Sequence, residues 1–389
     1  MTPEIKHRIG QIRRGEVPEG YVKKRKVVIP QQWGLPQIKD IASISSGSTP
    51  NRNNSEYWNG NIAWVTTGEL SSGHVNHTSE LITVKAVKET KMRIYPQGTL
   101  LMAMYGQGKT RDTVAILEID AAVNQACAAI TVKDGKSKFL FYQLKNSYQD
   151  IRKLSNTGNQ ENLNADIIKT YQVPWAPDEE QERISTILTT QDKVIELKEK
   201  QLTGKQRQKK YLMQQLLTGK KRLPGFAFEV EKTNIKAIST YSVSTISQTM
   251  LESYEGKQLY PVFNANSIAG HVDFYENECP YISIIKDGAG IGRVRLCEAK
   301  SSTIGTMGCI HARKGISIIF LYYLLEQVDF NKYSNGSTIP HLYYKDYSCE
   351  KVRIPDIKEQ AAIAEVLSTA DREIELLQQD IEQEKQKKK

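Results

Sequence analysis

The segment of this chain with the most chemical promise is Ala103-Met104-Tyr105-Gly106-Gln107-Gly108-Lys109-Thr110. It departs only at Ala103 from the phosphate-binding loop GxxxxGK[ST]. That loop works because a helix starts at its lysine, so free backbone N–H groups cradle the phosphate. Here Arg111-Asp112 follow, and then Val114-Ala115-Ile116-Leu117, an apolar run that predicts a strand. The matching loop further along, Asp287-Gly288-Ala289-Gly290-Ile291-Gly292, has no lysine. The segment therefore reads as a Gly-rich turn between strands. If its module meets DNA, such a turn brings backbone close to the duplex. Gln107, Lys109, Arg111 and Arg293 can then reach phosphates or base edges.

Other chemistry is missing. The five cysteines form no CxxC pair and read as buried thiols in a reducing cytoplasm. The six histidines are scattered, and His74 and His77, the close pair, have no cysteine or acidic cluster beside them. No metal site is expected. An amino-methyltransferase would carry an Asn/Asp-Pro-Pro-aromatic motif, and the chain has no Pro-Pro. Glu298-Ala299-Lys300 has the letters of a nuclease E-x-K but no upstream carboxylate to complete it, and it reads as a surface turn. No catalytic residue and no cofactor are expected.

The chain has 389 residues, 39% hydrophobic and 25% charged, an ordinary globular balance with room for two or three cores. Met1 to Gly20 is charged and lacks the apolar core of a signal peptide. No run reaches the roughly 18–20 apolar residues of a membrane span. A net charge of +9 favours a nucleic-acid or acidic-membrane partner, although it also serves as a solubility margin.

Stepping along the chain, segments recur about 179 residues apart, as Glu180-Gln181 does at Glu359-Gln360. Ile184, Leu188, Thr190, Asp192 and Ile195-Glu196-Leu197 match Ile363, Leu367, Thr369, Asp371 and Ile374-Glu375-Leu376. Leu163 and Val173 match Leu342 and Val352, and Phe139–Leu144 faces Phe320–Leu325 slightly out of register. Both copies then reach a Gly turn, at Asn156–Gly158 and at Asn335-Gly336. The order of segments makes this an internal duplication. Each half is a module followed by a helix.

Ile363, Leu367, Ala370, Ile374, Leu377 and Ile381 step by 4 and 3, an a/d seam. The same register in the first half gives Ile184, Leu188, Gln191, Ile195, Lys198 and Leu202, with Leu212 and Leu216 beyond. Gln191 and Lys198 weaken it. The two helices pair with each other, antiparallel, or are covered by partner subunits. The seam residues most firmly placed are Leu188, Ile195, Leu202, Leu367, Ile374 and Leu377. The first helix, about Pro177 to Leu217, spans about 60 Å and stops at Thr218-Gly219.

The modules read as mixed α/β. Strands are predicted at Ile62–Thr67, Thr113–Leu117, Ala128–Val132, Tyr281–Ile285 and Arg293–Cys297, and helices over Phe139–Lys153 and Ser317–Phe330. Ser137 and Ser317 are the available N-caps. The parts are an N-terminal tail (1–27), a first module (28–177), a central spacer helix (178–218), a linker (219–226), a second module (227–355) and a C-terminal spacer helix (356–389).

With these segments in view, the chain resembles the specificity subunits of type I restriction–modification systems. Ser46-Gly47-Ser48-Thr49-Pro50 with Glu56-Tyr57-Trp58 and Trp64-Val65 is similar to the opening of that family's target-recognition domain. Leu101–Gly106 with Val114-Ala115-Ile116 and Asn124-Gln125-Ala126 resembles its central strand–turn–strand. Leu163–Pro177 with Glu180-Gln181 and Ile184 resembles the entry to its spacer helix, and Leu216–Lys220 with Arg222–Phe226 the exit. Tyr260-Pro261-Val262 and Ile291-Gly292-Arg293-Val294 repeat the pattern. Lys109, Arg111 and Asp112 stand where the family more often has an Ile-Gly turn, and Phe228–Thr249 matches poorly.

The resemblance implies an α/β fold of two tandem target-recognition domains, separated and followed by long helices that pair as an antiparallel coiled coil on a pseudo-two-fold frame. It implies a cytoplasmic, non-catalytic reader of double-stranded DNA. Each domain would read one half of a split, asymmetric target in the major groove. The helices would set the spacing and dock two modification (methyltransferase) subunits, and restriction (motor-nuclease) subunits would join. From the residues alone, a protein-interaction adaptor with two recognition modules on a coiled-coil frame remains the alternative. DNA-facing residues, chosen as polar or basic and near turns, are Tyr105, Gln107, Lys109, Arg111 and Asn159 in the first module. In the second they are Asn264, Asn266, Lys286, Arg293 and His341.

Overall fold

A computed structural model of the chain describes residues 2–105, 113–154, 163–226, 231–288, 290–336 and 340–388. It divides into two compact units, Met1–Lys193 and Val194–Lys389. The division falls inside the central helix, Asp178–Leu216, whose first turns belong to the first unit.

The first unit opens with a helix, Pro3–Arg13, and a two-stranded ribbon, Tyr21–Lys24 with Val27–Pro30. The segment read as a tail thus carries secondary structure. At the centre is a five-stranded sheet in the order Ala42–Ser46, Cys127–Val132, Leu100–Ala103, Val114–Leu117, His74–Val75. The first three pairings are antiparallel and the last is parallel. Side chains alternate across it. Leu100 and Met102 join one apolar cluster with Ile130, Leu140 and Phe141; Leu101 and Ala103 join another with Val65, Tyr95 and Val123. At the inner strands Leu100–Ala103 and Val114–Leu117 both faces are buried, so these are apolar throughout and show no alternation in sequence. A three-stranded sheet sets Glu80–Ile82 antiparallel and Ala121–Val123 parallel to Trp58–Val65. At Gly47 a Cβ would stand 1.7 Å from the Val123 carbonyl oxygen, so only glycine fits.

The helix expected over Phe139–Lys153 is two helices, Ser137–Asn146 and Tyr148–Lys153. They break at Ser147, whose carbonyl accepts the Asp150 N–H at 3.0 Å. Ser137 is buried in the first turn and does not cap it; Lys136 holds the cap position. Tyr142 reaches from this helix to the central helix, where its hydroxyl donates to Asp192 Oδ2 at 2.8 Å.

The second unit repeats the plan. Its four-stranded antiparallel sheet runs Ser239–Val243, Met307–Ala312, Tyr281–Ile285, Val294–Cys297. Beside it, Ile268–Val272 lies antiparallel and Ser302–Thr303 parallel to Tyr260–Phe263. This is the first unit's order and sense, less its outermost strand. The helix Ile318–Glu326 is shorter than read, and Ser317 caps it by accepting the Phe320 N–H at 3.4 Å. Tyr323 donates to Asp371 Oδ2 at 2.7 Å, as Tyr142 does to Asp192. The duplication also reaches further upstream than the sequence matches traced. Ile38–Ile41 and Ile235–Ile238, both with Ile-Lys at the start and Ile at the end, form short helices leading into the first sheet strand.

Within the second unit the remainder of the central helix lies antiparallel to the C-terminal helix, Ile357–Lys388. Ion pairs fix the direction, because partners rise in number on one helix as they fall on the other. Lys198 Nζ is 2.8 Å from Asp380 and 2.9 Å from Glu384, Lys205 Nζ is 2.7 Å from Glu373, and Lys209 Nζ is 2.7 Å from Asp371. Residues 195, 198, 202, 205, 209, 212 and 216 of the central helix are all buried or half-buried. So are 363, 367, 370, 374, 377, 381 and 384 of its partner. The 4–3 register therefore holds, with lysines in it. Two seam positions have a different main neighbour. Leu188 packs on the first module's core, and Leu367, fully buried, joins the second module's core with Ile363, Leu216 and Phe320.

Lys209 is 16% exposed. It also lies 3.2 Å from Glu326 of the module helix and 5.3 Å over the Tyr323 ring. Burial pushes its ammonium pKa down, but the hydrogen bond to Asp371 and the charges of Glu326 and Asp371 outweigh that and leave it raised. A raised pKa means the stabilisation is complete below the unfolded value of ~10.4 and fades as pH climbs through the folded one. Lys209→Met is expected to cost about 2 kcal/mol at pH 7, by leaving the Glu326 and Asp371 carboxylates without their cation. In denaturant titrations that difference should shrink as pH climbs through the raised lysine pKa; a pH-independent cost would mean that packing, not charge, holds the site.

Candidate nucleic-acid interface

The strand Tyr281–Ile285 ends at Lys286, and the chain returns as Val294–Cys297 after a tight loop. Gly288, Gly290 and Gly292 sit in it at φ +86°, +82° and +81°. Only glycine takes that region readily, which explains the spacing of the three. The loop is closed by the Gly292 N–H on the Ile285 carbonyl at 2.9 Å and the Ile285 N–H on the Arg293 carbonyl at 3.1 Å. It is also pinned from the side, by the Gly288 N–H on the Pro340 carbonyl at 3.0 Å and the Leu342 N–H on the Lys286 carbonyl at 2.8 Å.

That pinning brings three side chains together. One oxygen of Asp287 lies 2.7 Å from His341 Nδ1, and the other takes the Lys286 ammonium. Burial raises the Asp287 carboxyl pKa, yet the hydrogen bonds from Lys286 and His341 outweigh it and leave the group depressed. Asp287 thus stays charged and orients both side chains. Arg293 is exposed on the return limb, and at Gly290 a Cβ would stand 2.9 Å from its Nη2. The His341 ring stacks at 6.5 Å on Tyr343, and Lys345 Nζ stands 5.5 Å over that exposed ring. Lysine, arginine, histidine and an open aromatic face form a surface suited to phosphate contact and base stacking.

Asn264 and Asn266 lie elsewhere, in the turn of the hairpin Tyr260–Phe263/Ile268–Val272. Asn264 Oδ1 accepts the N–H groups of Asn266 at 2.9 Å and Ser267 at 2.8 Å. Its acceptor side builds the turn. Asn266 is exposed.

In the first module, Tyr105 is exposed just past Leu100–Ala103. Gln107, Lys109, Arg111 and Asn159 lie outside the described residues. The frame around them still matches. The Met104 N–H donates to the Ala126 carbonyl at 2.8 Å and the Leu163 N–H to the Met104 carbonyl at 3.1 Å. The Lys286 N–H donates to the Thr306 carbonyl at 3.2 Å, and Lys286 in turn accepts from Leu342. Met104 and Lys286 are therefore equivalent, and both loops join the same two strands of the same sheet. The phosphate-loop likeness fails on the element that follows, since Val114–Leu117 is a strand antiparallel to Leu100–Ala103. Among the described residues no group of three His, Cys, Asp or Glu could hold a metal.

Residue-type reasoning missed Tyr343, Lys345 and Arg52. Arg52 stacks 4.1 Å over Trp58 and 4.9 Å over Trp64 while pairing with Glu80. For Tyr343 and Lys345 the available signal was the run Tyr343-Tyr344-Lys345 directly after the Leu342 anchor.

Comparison with known proteins gives the family and the fold. The profile of the type I restriction modification DNA specificity domain matches twice, over residues 30–204 and 226–385. A specificity subunit of the MjaIX type I restriction enzyme from Methanocaldococcus jannaschii is 34% identical over 44% of this chain and 41% of its own length. The EcoprrI specificity subunit from Escherichia coli is 24% identical over 90% of each chain. Among solved structures, the S subunit of a type I system from M. genitalium has the same fold, with a TM-score of 0.64 at 16% identity over 92% of this chain and 94% of that one. With two tandem copies of the domain covering most of its length, the chain belongs to the type I restriction–modification DNA-specificity family.

Proposed function

We propose that this chain is the DNA-reading subunit of a type I restriction–modification assembly and does no chemistry itself. The first module (28–177) reads one half of a split target in the major groove, and the second (227–355) reads the other. The spacer helices (178–218 and 356–389) set the distance between halves and dock two modification subunits, which carry the methyl donor and methylate adenine. Motor-nuclease subunits join that complex in the cytoplasm. No described helix is long and apolar enough to cross a membrane.

One observation carries the reading. The same strand pair is used twice to hold a loop whose chemistry differs. In the second module it presents Lys286, Arg293 and His341. In the first, the sequence between the same strands offers Gln107, Lys109 and Arg111. A constant frame with variable polar loops is what recognition of two unlike half-sites requires.

The test is methylation mapping of host DNA with and without this gene. The expected result is loss of adenine methylation at one split, asymmetric motif; an unchanged methylome beside an expressed modification partner favours the adaptor reading. At residue level, Arg293→Ala should weaken binding to a duplex carrying that motif by about tenfold or more and flatten its salt dependence. Unchanged affinity would remove Arg293 from the interface.

A further inference from the structure

Each module places a buried glutamine at the foot of its long helix. Gln360 is 1% exposed and fully engaged. Its Nε2 donates to the Pro355 carbonyl at 2.9 Å and to the Gly315 carbonyl at 3.3 Å, and its Oε1 accepts the Ser317 N–H at 2.9 Å. The loop before the module helix is thereby tied to the start of the C-terminal helix. Gln181 holds the same place in the first module. It is 2% exposed, and its Nε2 donates to the Ala176 carbonyl at 2.7 Å. Its Oε1 is buried with no hydrogen-bond partner.

The loop equivalent to Gly315–Ser317 is 135–137. It faces the central helix across a cleft of about 760 Å³, lined also by Gln181. A buried amide oxygen is costly to leave unpaired, so the cleft calls for a donor. Its walls add a charge requirement. Asp134, Asp178, Glu179 and Glu182 line it against Lys136 and Lys138, and Lys136 Nζ is held 2.5 Å from Asp178. The cleft is thus locally negative in a chain of net charge +9. The hydroxyls of Ser185 and Thr186 add further acceptors.

We propose that this cleft receives an arginine side chain from the modification subunit that docks beside the first module; this rests on the assembly reading above. A guanidinium presents five N–H donors in a rigid plane. It can offer one N–H to the amide oxygen of Gln181 and others to the carboxylates at the lip. In the second module the chain's own Ser317 N–H takes the equivalent position, so the two modification subunits dock inequivalently.

The experiment uses the full-length chain and its purified cognate modification subunit. Partner copies are counted by native mass spectrometry and affinities measured by calorimetry. Glu182→Lys reverses charge at an exposed lip position, and Gln181→Leu removes the acceptor; thermal melting checks that both fold. A photo-crosslinking residue substituted for exposed Thr186 supplies an independent readout. The expected result is two partners on the wild type, with one of the two weakened about tenfold or lost in Glu182→Lys and Gln181→Leu. The crosslink should fall on an arginine-bearing segment of the modification subunit. Wild-type affinity for both partners in both variants, or no crosslink while two partners bind, overturns the cleft assignment and leaves the assembly reading standing. A wild type that binds no modification subunit overturns both.

Discussion

The architecture of the second unit rests on a helix pair whose seam is part charge. Lys198, Lys205 and Lys209 occupy positions where a coiled coil usually buries leucine, and each is met by a carboxylate of the antiparallel partner. Such pairs contribute less net stability than apolar packing, because desolvation offsets much of the attraction. They do specify register and direction, since a slip by one turn would bury each lysine without its partner. The apolar positions supply the adhesion and the lysines supply the choice of alignment. On the proposed reading, in which the helices space two DNA-reading modules, a fixed alignment serves better than a tighter but slippery pair.

The same helices are bound to their modules by a repeated device. In each copy a tyrosine of the module helix donates to an aspartate of the long helix, Tyr142 to Asp192 and Tyr323 to Asp371. In each copy a buried glutamine braces the junction from beneath, Gln181 and Gln360. A module so tied cannot swing freely on its helix, so the position of its strand-connecting loop follows from the helix that carries it. The sheet completes that rigidity. Its inner strands Leu100–Ala103 and Tyr281–Ile285 are buried on both faces, and the loops at Met104 and Lys286 are clamped by equivalent backbone hydrogen bonds. Variation can then collect in the loops without moving the frame.

Much of this was legible in the sequence because burial leaves a plain mark. Tyr281–Ile285 is an unbroken apolar run and is the strand as read. The a/d steps of the C-terminal helix predicted which of its residues are covered. The upstream duplication was hidden for a physical reason. The segments joining the strands differ in length between modules, so the spacing of equivalent residues drifts, and the Ile-Lys helices at Ile38 and Ile235 fall out of the register of the long helices. Capping was ambiguous because a serine before an apolar run can end up as cap, like Ser317, or inside the first turn, like Ser137. The proposed DNA-facing residues were least legible. Asparagine both builds turns and reads bases, and at Asn264 its acceptor is spent on the turn. Lys286 and His341 are far apart in sequence, and only the pinning of their loop brings them to one carboxylate.

The claim that most needs testing is that the paired helices act as a ruler. One heptad added to the central helix between residues 199 and 205, with one added between residues 373 and 380 of its partner, keeps each lysine opposite its carboxylate and lengthens the pair by about 10 Å. Methylation mapping of a host carrying that variant reads the outcome directly. The account predicts an unchanged pair of half-sites with about three more base pairs between them, at 3.4 Å each. The original spacing, or an altered half-site sequence, would contradict it.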